Sequence, residues 1–152
     1  MKLSSFLICD DIRQELGNKQ SLIGIYDDTL NFDVPLNISN KWPKVIKLGV
    51  FIKLMFDDDT EKNNFHRIRL EYTSNNETVQ LLDSTKQVIP QNQLNGITIS
   101  IVTNQLLIKA SGDMPLRCII FDRNNKIIGD FTKKIIVQER IMQHNINTFS
   151  SK

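Results

Sequence analysis

The sequence predicts an all-β protein, an antiparallel β-sandwich of immunoglobulin-like general architecture with about eight or nine strands. Isoleucine, valine and threonine make up about a quarter of the 152 residues, and Ala110 is the only alanine. β-Branched side chains pack well on sheets but lose rotamer freedom in helices. Residues 46–56 carry an apolar side chain at every second position, which indicates a long strand. Turn-forming residues recur roughly every 8–12 residues, a spacing typical of sandwiches and barrels.

The elements follow from alternation and turn residues. Asparagine pairs between alternating runs favour hairpins, because asparagine tolerates positive φ. The four prolines lie between the predicted strands, where a missing amide hydrogen does least harm. In chain order, we expect a hairpin over 8–26 with a two-residue turn at Gly17-Asn18, a strand at 46–56, a hairpin over 66–81 around Asn75-Asn76, strands at 97–102 and 106–108, and a hairpin over 116–137 around Asn124-Asn125.

The chain length fits one domain. No change in composition marks a linker, so we expect a single sandwich domain over residues 1–137. From residue 138 the sequence turns polar and loses its alternation. Residues 138–152 are therefore predicted to form a polar C-terminal tail, frayed or ending in a short helix.

The opening hairpin carries the densest polar pattern of the chain. With a two-residue turn, Ile12 lies opposite Ile23, and Asp10 lies opposite Ile25. This register predicts Asp10 as a buried polar group on an isoleucine-lined face. A carboxylate in that position needs a partner or hydrogen bonds.

Asp11, Arg13 and Glu15 form a row of alternating charge on the other face of the hairpin. One interpretation is a solvated face with an ion pair worth about 0–1 kcal/mol. The other makes Asp11, Arg13, Glu15 and Tyr26 a partner-binding surface. The sequence leaves both interpretations open, and it predicts no catalytic residue.

The same hairpin resembles a known family. The runs that carry the resemblance are Cys9-Asp10-x-Ile12-Arg13-x-Glu15 and Lys19-x-Ser21-Leu22-Ile23-Gly24-Ile25-Tyr26. They are similar to the opening of a family of uncharacterised bacterial β-sandwich proteins, in which a proline-bearing segment and further antiparallel strands follow. The resemblance implies the fold and a bacterial origin. It implies no activity.

Charge and cysteine usage narrow the function classes. The formal net charge is +2, with basic residues scattered among acidic ones, which gives little electrostatic reason to bind nucleic acid. No segment approaches the roughly 20 apolar residues of a membrane span, and no cofactor fingerprint is present. Cys9 and Cys118 lie in apolar runs, where a free thiol acts as a small hydrophobe. We therefore expect a reduced, cytoplasmic protein, while a disulfide between the two cysteines stays open at this point.

Two sets of residues raise the question of a metal. The carboxylates of Asp27-Asp28 and of residues 57–61 follow predicted strands, as in sandwiches that bind calcium in loops, but they lack the spaced ligands and glycine of a dedicated calcium loop. A zinc site would have to use Cys9, Cys118, His66 and His144, none of which has close ligand spacing. We predict neither a metal nor a cofactor.

As function, we expect a non-enzymatic binding or scaffold module. It would contact a protein partner, or a second copy of itself, through an exposed strand edge or through the face bearing Asp11 and Arg13. One alternative is a metal-dependent or hydrolytic enzyme whose site gathers Asp10, Asp57, Asp58 or His66 from separate loops. Another is a phage-derived structural component, which rests on analogy of fold alone.

Overall fold

A computed structural model describes residues 1–17, 19–85 and 96–142. Strands dominate this part of the chain, beside a single 3₁₀ turn at Leu36–Ile38 and a short helix α1 at Asp59–Asn64. The strands are β1 Lys2–Glu15, β2 Lys19–Tyr26, β3 Thr29–Val34, β4 Lys44–Met55, β5 Arg67–Ser74, β6 Glu77–Thr85, β7 Gly96–Ile108, β8 Gly112–Asp113, β9 Leu116–Phe121, β10 Ile127–Lys133 and β11 Ile136–Ile141.

The described strands form three sheets, with the orders β2-β1-β4-β7, β10-β9-β5-β6 and β3-β11-β8. Neighbouring strands pair antiparallel, as in β1 with β4, except that β3 and β11 run parallel. The all-β, sandwich-like class is thereby confirmed. The described residues contain eleven strands, more than the sequence led us to expect. One of the additional strands is β3. It is not among the strands predicted from the sequence, even though Leu30, Phe32 and Val34 alternate there with polar residues.

Strand β4 confirms the period-two pattern that predicts it. Leu48, Val50, Ile52 and Leu54 are all buried. They belong to one hydrophobic cluster that also takes side chains from the other two sheets, such as Ile68 of β5. Fully burying a side chain of this size stabilises the fold by roughly 1.5–3 kcal/mol. The three sheets therefore share one core.

Both asparagine hairpins are present. Asn75 and Asn76 have φ values of 51° and 61° and connect β5 to β6. Asn125 has a φ of 60° in the turn between β9 and β10. The Asp122 carboxylate accepts hydrogen bonds from the backbone N–H groups of Asn124 and Lys126, which closes that turn. Local turn chemistry is sufficient to place both hairpins.

The strands predicted at 97–102 and 106–108 form a single strand, β7. Its pairing with β4 shifts register between Ile46 and Leu48, whose partners are Leu106 and Thr103. This irregularity is a β-bulge, which bends a strand without ending it. The polar residues within β7 therefore mark a bulge and not a loop.

Residues 127–137 form two strands in different sheets. β10 ends at Lys133, and β11 begins at Ile136 beside β3 and β8. β11 continues to Ile141, so the predicted domain end at residue 137 is wrong. The polar residues that suggested a tail bond to the neighbouring strand β3. Arg140, for example, pairs with Asp33 of β3 at 2.6 Å. The remainder of the predicted tail, residues 143–152, lies outside the described residues.

Candidate functional site

The opening hairpin forms as predicted, but its register is shifted by one residue. Ile12 lies opposite Leu22 and not opposite Ile23. β1 ends at Glu15 and β2 begins at Lys19, so three residues connect the strands instead of two. Because side chains alternate along a strand, one extra connecting residue changes every cross-strand pair. The predicted turn residue Asn18 lies outside the described residues.

The segment Asp10–Tyr26, which we call the arm, contains β2 and the second half of β1, and it contacts β4 and β7 of the same sheet. A Cβ added at Gly49 of β4 would meet Cγ1 of Ile12 at 3.0 Å. Further along, the Ser100 hydroxyl of β7 donates a hydrogen bond of 2.8 Å to the Gln20 side chain. The missing side chain of Gly49 is therefore what allows this close approach.

Asp10 is exposed, so the expectation of a buried polar group is wrong. Its carboxylate accepts a hydrogen bond from the Tyr26 hydroxyl. The shifted register places Asp10 beside Gly24 and not beside Ile25. Gly24 has a φ of 63°, and a Cβ there would overlap the Asp10 carboxylate. Burial, together with the hydrogen bond to Asp10, raises the pKa of Tyr26 to about 12.

Asp11 is the centre of a separate charged group. Its carboxylate pairs with the Lys47 ammonium at 2.8 Å and with Arg13 at 3.7 Å. It also accepts a hydrogen bond of 3.1 Å from the backbone N–H of Ile12. The Lys47 hydrogen bond is the main reason why the pKa of Asp11 lies below its usual range. Asp11 therefore carries a negative charge between two cations.

The four residues predicted as a partner surface do not form one cluster. Asp11 and Arg13 lie together, whereas Tyr26 bonds to Asp10, and the exposed Glu15 lies opposite Lys19 near the end of the arm. Lys47 completes the charged group but has no local sequence signal. It reaches Asp11 because β4 pairs with β1, which is a long-range contact.

Apolar side chains are exposed along the same arm. Ile25 is 55% exposed, Ile23 is 36% exposed, and Leu16 in the connection is 96% exposed. Ile23 lies opposite Asp11 in the strand register. The arm thus combines exposed hydrophobic surface with a charged group.

Cys9 and Cys118 are both free and buried, so no disulfide joins them. Burial raises the pKa of Cys9, and it raises the pKa of Cys118 to about 12. A thiol with a raised pKa is a poor nucleophile because the thiolate is the reactive form. Neither cysteine therefore has the environment of a reactive thiol.

Asp57 and Asp58, in the carboxylate run at residues 57–61, have structural partners. Asp58 caps α1 by accepting a hydrogen bond of 2.9 Å from the Glu61 backbone N–H. Asp57 accepts one of 3.0 Å from the amino group of Met1 and pairs with Lys2 at 3.2 Å. Within residues 1–17, 19–85 and 96–142, no three histidine, cysteine, aspartate or glutamate side chains are grouped so that they could hold a metal. His144 lies outside these ranges.

A groove of about 700 Å³ lies beside the first half of β1. Lys133 in its wall pairs with Asp28 at 2.8 Å. This groove is not lined by the residues that the enzyme alternative would need, which are Asp10, Asp57, Asp58 and His66. Its lining consists of Leu3, Ser4, Ser5, Phe6, Asp28, Asp113, Thr132, Lys133, Lys134 and Ile136. Both the enzyme and the phage-component alternatives stay predictions.

The chain matches no protein-family model, and no curated protein matches it. In the part of the chain that the structure describes, no helix has the length and apolar character needed to cross a bilayer.

Proposed function

We propose that this chain is a non-enzymatic protein-binding module of the bacterial cytoplasm, and that its arm docks onto a partner protein. The observation that carries the proposal is the exposure of Ile25, Ile23 and Leu16 on one hairpin. Large apolar side chains grouped on a surface favour protein contacts, whereas isolated ones are normal. The free cysteines support the choice of a reducing compartment.

The charged group around Asp11 supports the same surface. Protein interfaces combine an apolar centre with a polar rim, and charges in the rim steer encounter and fix register. Ile25 and Ile23 would supply the centre, while Asp11, Arg13 and Lys47 would supply the rim. The partner would present an apolar patch beside charged side chains of both signs.

The test compares two charge insertions in full-length protein purified from bacteria that express it natively. Ile25→Lys places a charge in the proposed centre, and Ile127→Lys is the matched control, since Ile127 is 49% exposed on β10 in another sheet. A protein that co-purifies with the wild type is then produced separately, and its Kd is measured. We expect Ile25→Lys to weaken binding at least about tenfold, a loss typical of a residue that contributes strongly to an interface. Ile127→Lys should bind like the wild type.

A second pair of variants examines the rim. Asp11→Ala combined with Arg13→Ala should slow association, with less effect on dissociation, because rim charges act mainly on the encounter. Equal affinity for the wild type and Ile25→Lys would contradict the proposal. So would a partner lost equally with Ile127→Lys.

A further inference from the structure

Strand β7 is an edge strand without a charge. Among the described residues it pairs with β4 alone, at the end of the sheet β2-β1-β4-β7. Its thirteen residues, Gly96–Ile108, include no Asp, Glu, Lys, Arg or Pro. Natural edge strands are usually protected by charges, prolines, bulges or short length. The bulge of β7 begins only after Thr103, so residues 99–103 pair regularly with β4, and none of them is charged.

The other edge strands of the described sheets differ from β7 in this respect. A charge disfavours pairing of a strand with its own copy, because like charges meet near the symmetry axis. Strand β2 is also interrupted by the positive φ of Gly24. The charged residues are Lys19 in β2, Asp33 in β3, Glu77 and Asp83 in β6, Asp113 in β8, and Asp130 and Lys133 in β10.

We propose that β7 pairs antiparallel with β7 of a second copy of this chain, across a twofold axis at Ile101. Residues 99–103 of the two copies would then be in register, and Val102 would lie opposite Ser100 of the second copy. The two four-stranded sheets would become one continuous sheet of eight strands. An antiparallel pairing of identical strands is self-complementary, which is the requirement of a twofold interface.

The exposed side chains of this segment fit the pairing. Val102 is 38% exposed, and Ser100 is exposed beside it. Pairing would cover Val102 and would bring no two charges together within the strand. The interface does not include Ile25, the residue at the centre of the surface proposed for the arm.

Sedimentation velocity of the full chain over a range of concentrations tests the proposal. We expect wild-type protein to dimerise as concentration rises. Val102→Lys should shift the dimer Kd upward by at least about tenfold, because the two lysines approach across the axis at about 7–8 Å. Ile127→Lys, which places the same charge on β10, should dimerise like the wild type.

A mixture of two oppositely charged variants distinguishes a weakened interface from a misfolded protein. An equal mixture of Val102→Lys and Val102→Glu should form more dimer than either variant alone, since opposite charges then meet across the axis. Wild-type protein that stays monomeric at every concentration would overturn the proposal. Val102→Lys protein that dimerises like the wild type would overturn it equally.

Discussion

At the scale of single residues, Gly24 decides the position of Asp10. Its φ of 63° lies in the left-handed region, and a side chain there would overlap the Asp10 carboxylate. The left-handed conformation alone costs a non-glycine residue about 1–2 kcal/mol. Because the site has no side chain, Asp10 reaches the Tyr26 hydroxyl. The hydrogen bond between Tyr26 and Asp10 thus depends on the absence of a side chain at Gly24.

This pair predicts an alkaline titration. The pKa of Tyr26 is raised to about 12 from its ordinary value of 10, chiefly by burial and then by Asp10. The unfolded chain releases this proton near pH 10, whereas the folded protein keeps it. The stability associated with Tyr26 is therefore present below pH 10 and is lost as the pH rises towards 12. Absorbance of tyrosinate measures the titration directly.

The chain has two tyrosines, so Tyr72→Phe isolates the signal of Tyr26. In that background, Asp10→Asn should lower the pKa of Tyr26, because the negative charge beside the developing tyrosinate is removed. Burial should keep the value above 10. An unchanged titration in Asp10→Asn would show that the carboxylate does not act on Tyr26.

At the scale of elements, what the sequence predicts depends on the range of the interaction. β4 and the two asparagine hairpins follow from alternation and turn residues that are adjacent in the chain. The arm register depends on whether two or three residues connect its strands, and the sequence does not decide this. Lys47 joins Asp11 only through the pairing of β4 with β1. Of the four residues predicted as a partner surface, Asp11 and Arg13 lie together, and Lys47 joins them through a contact that is long-range in the sequence.

β11 is a strand that the apolar pattern of the sequence does not reveal, because it contains polar residues that bond to a neighbouring strand. Gln138, Glu139 and Arg140 form a continuous polar run, yet Gln138 and Arg140 bond to Asn31 and Asp33 of β3. β11 is also the central strand of its sheet, between β3 and β8. The polar residues that follow Val137 pair with β3, although in the sequence they look like a tail.

Two truncations test the contribution of this strand. A chain ending at residue 137 loses the part of β11 that pairs with Asn31–Val34, whereas one ending at residue 142 keeps it. We expect the shorter chain to be less stable by about 0.5–1.5 kcal/mol for each backbone hydrogen bond removed. Urea unfolding measures the difference. Equal midpoints for the two truncations would mean that residues 138–142 add nothing to the fold.

At the scale of the whole molecule, the two proposed contacts lie on the same sheet. Gln20 of the arm bonds to Ser100, which flanks the proposed twofold axis on β7. A dimer through β7 would therefore bring two arms near its axis and present two copies of Ile25. Two linked binding surfaces raise the apparent affinity for a partner that is itself repeated, without any new contact.

The reactivity of the two cysteines can show whether the arm and the core unfold together. Cys118 belongs to the common core, and its thiol becomes accessible only when that core opens. Cys9 lies outside the common cluster at the base of the arm, where its thiol bonds to the backbone of Asp11 at 3.3 Å. The arm is held against the rest of the sheet by exposed polar contacts, so it should open at lower free energy than the core.

We therefore expect two rates when native protein is treated with a thiol reagent at pH 8. Cys9 should react faster, through opening of the arm, and its rate should depend only weakly on urea because little surface becomes exposed. Cys118 should react slowly, with the steep urea dependence of global unfolding. The variants Cys9→Ala and Cys118→Ala assign the two rates, and Lys47→Met should accelerate Cys9 alone, since it removes an ion pair that holds the arm. Equal rates and equal urea dependence at both thiols would instead mean that arm and core unfold as one unit.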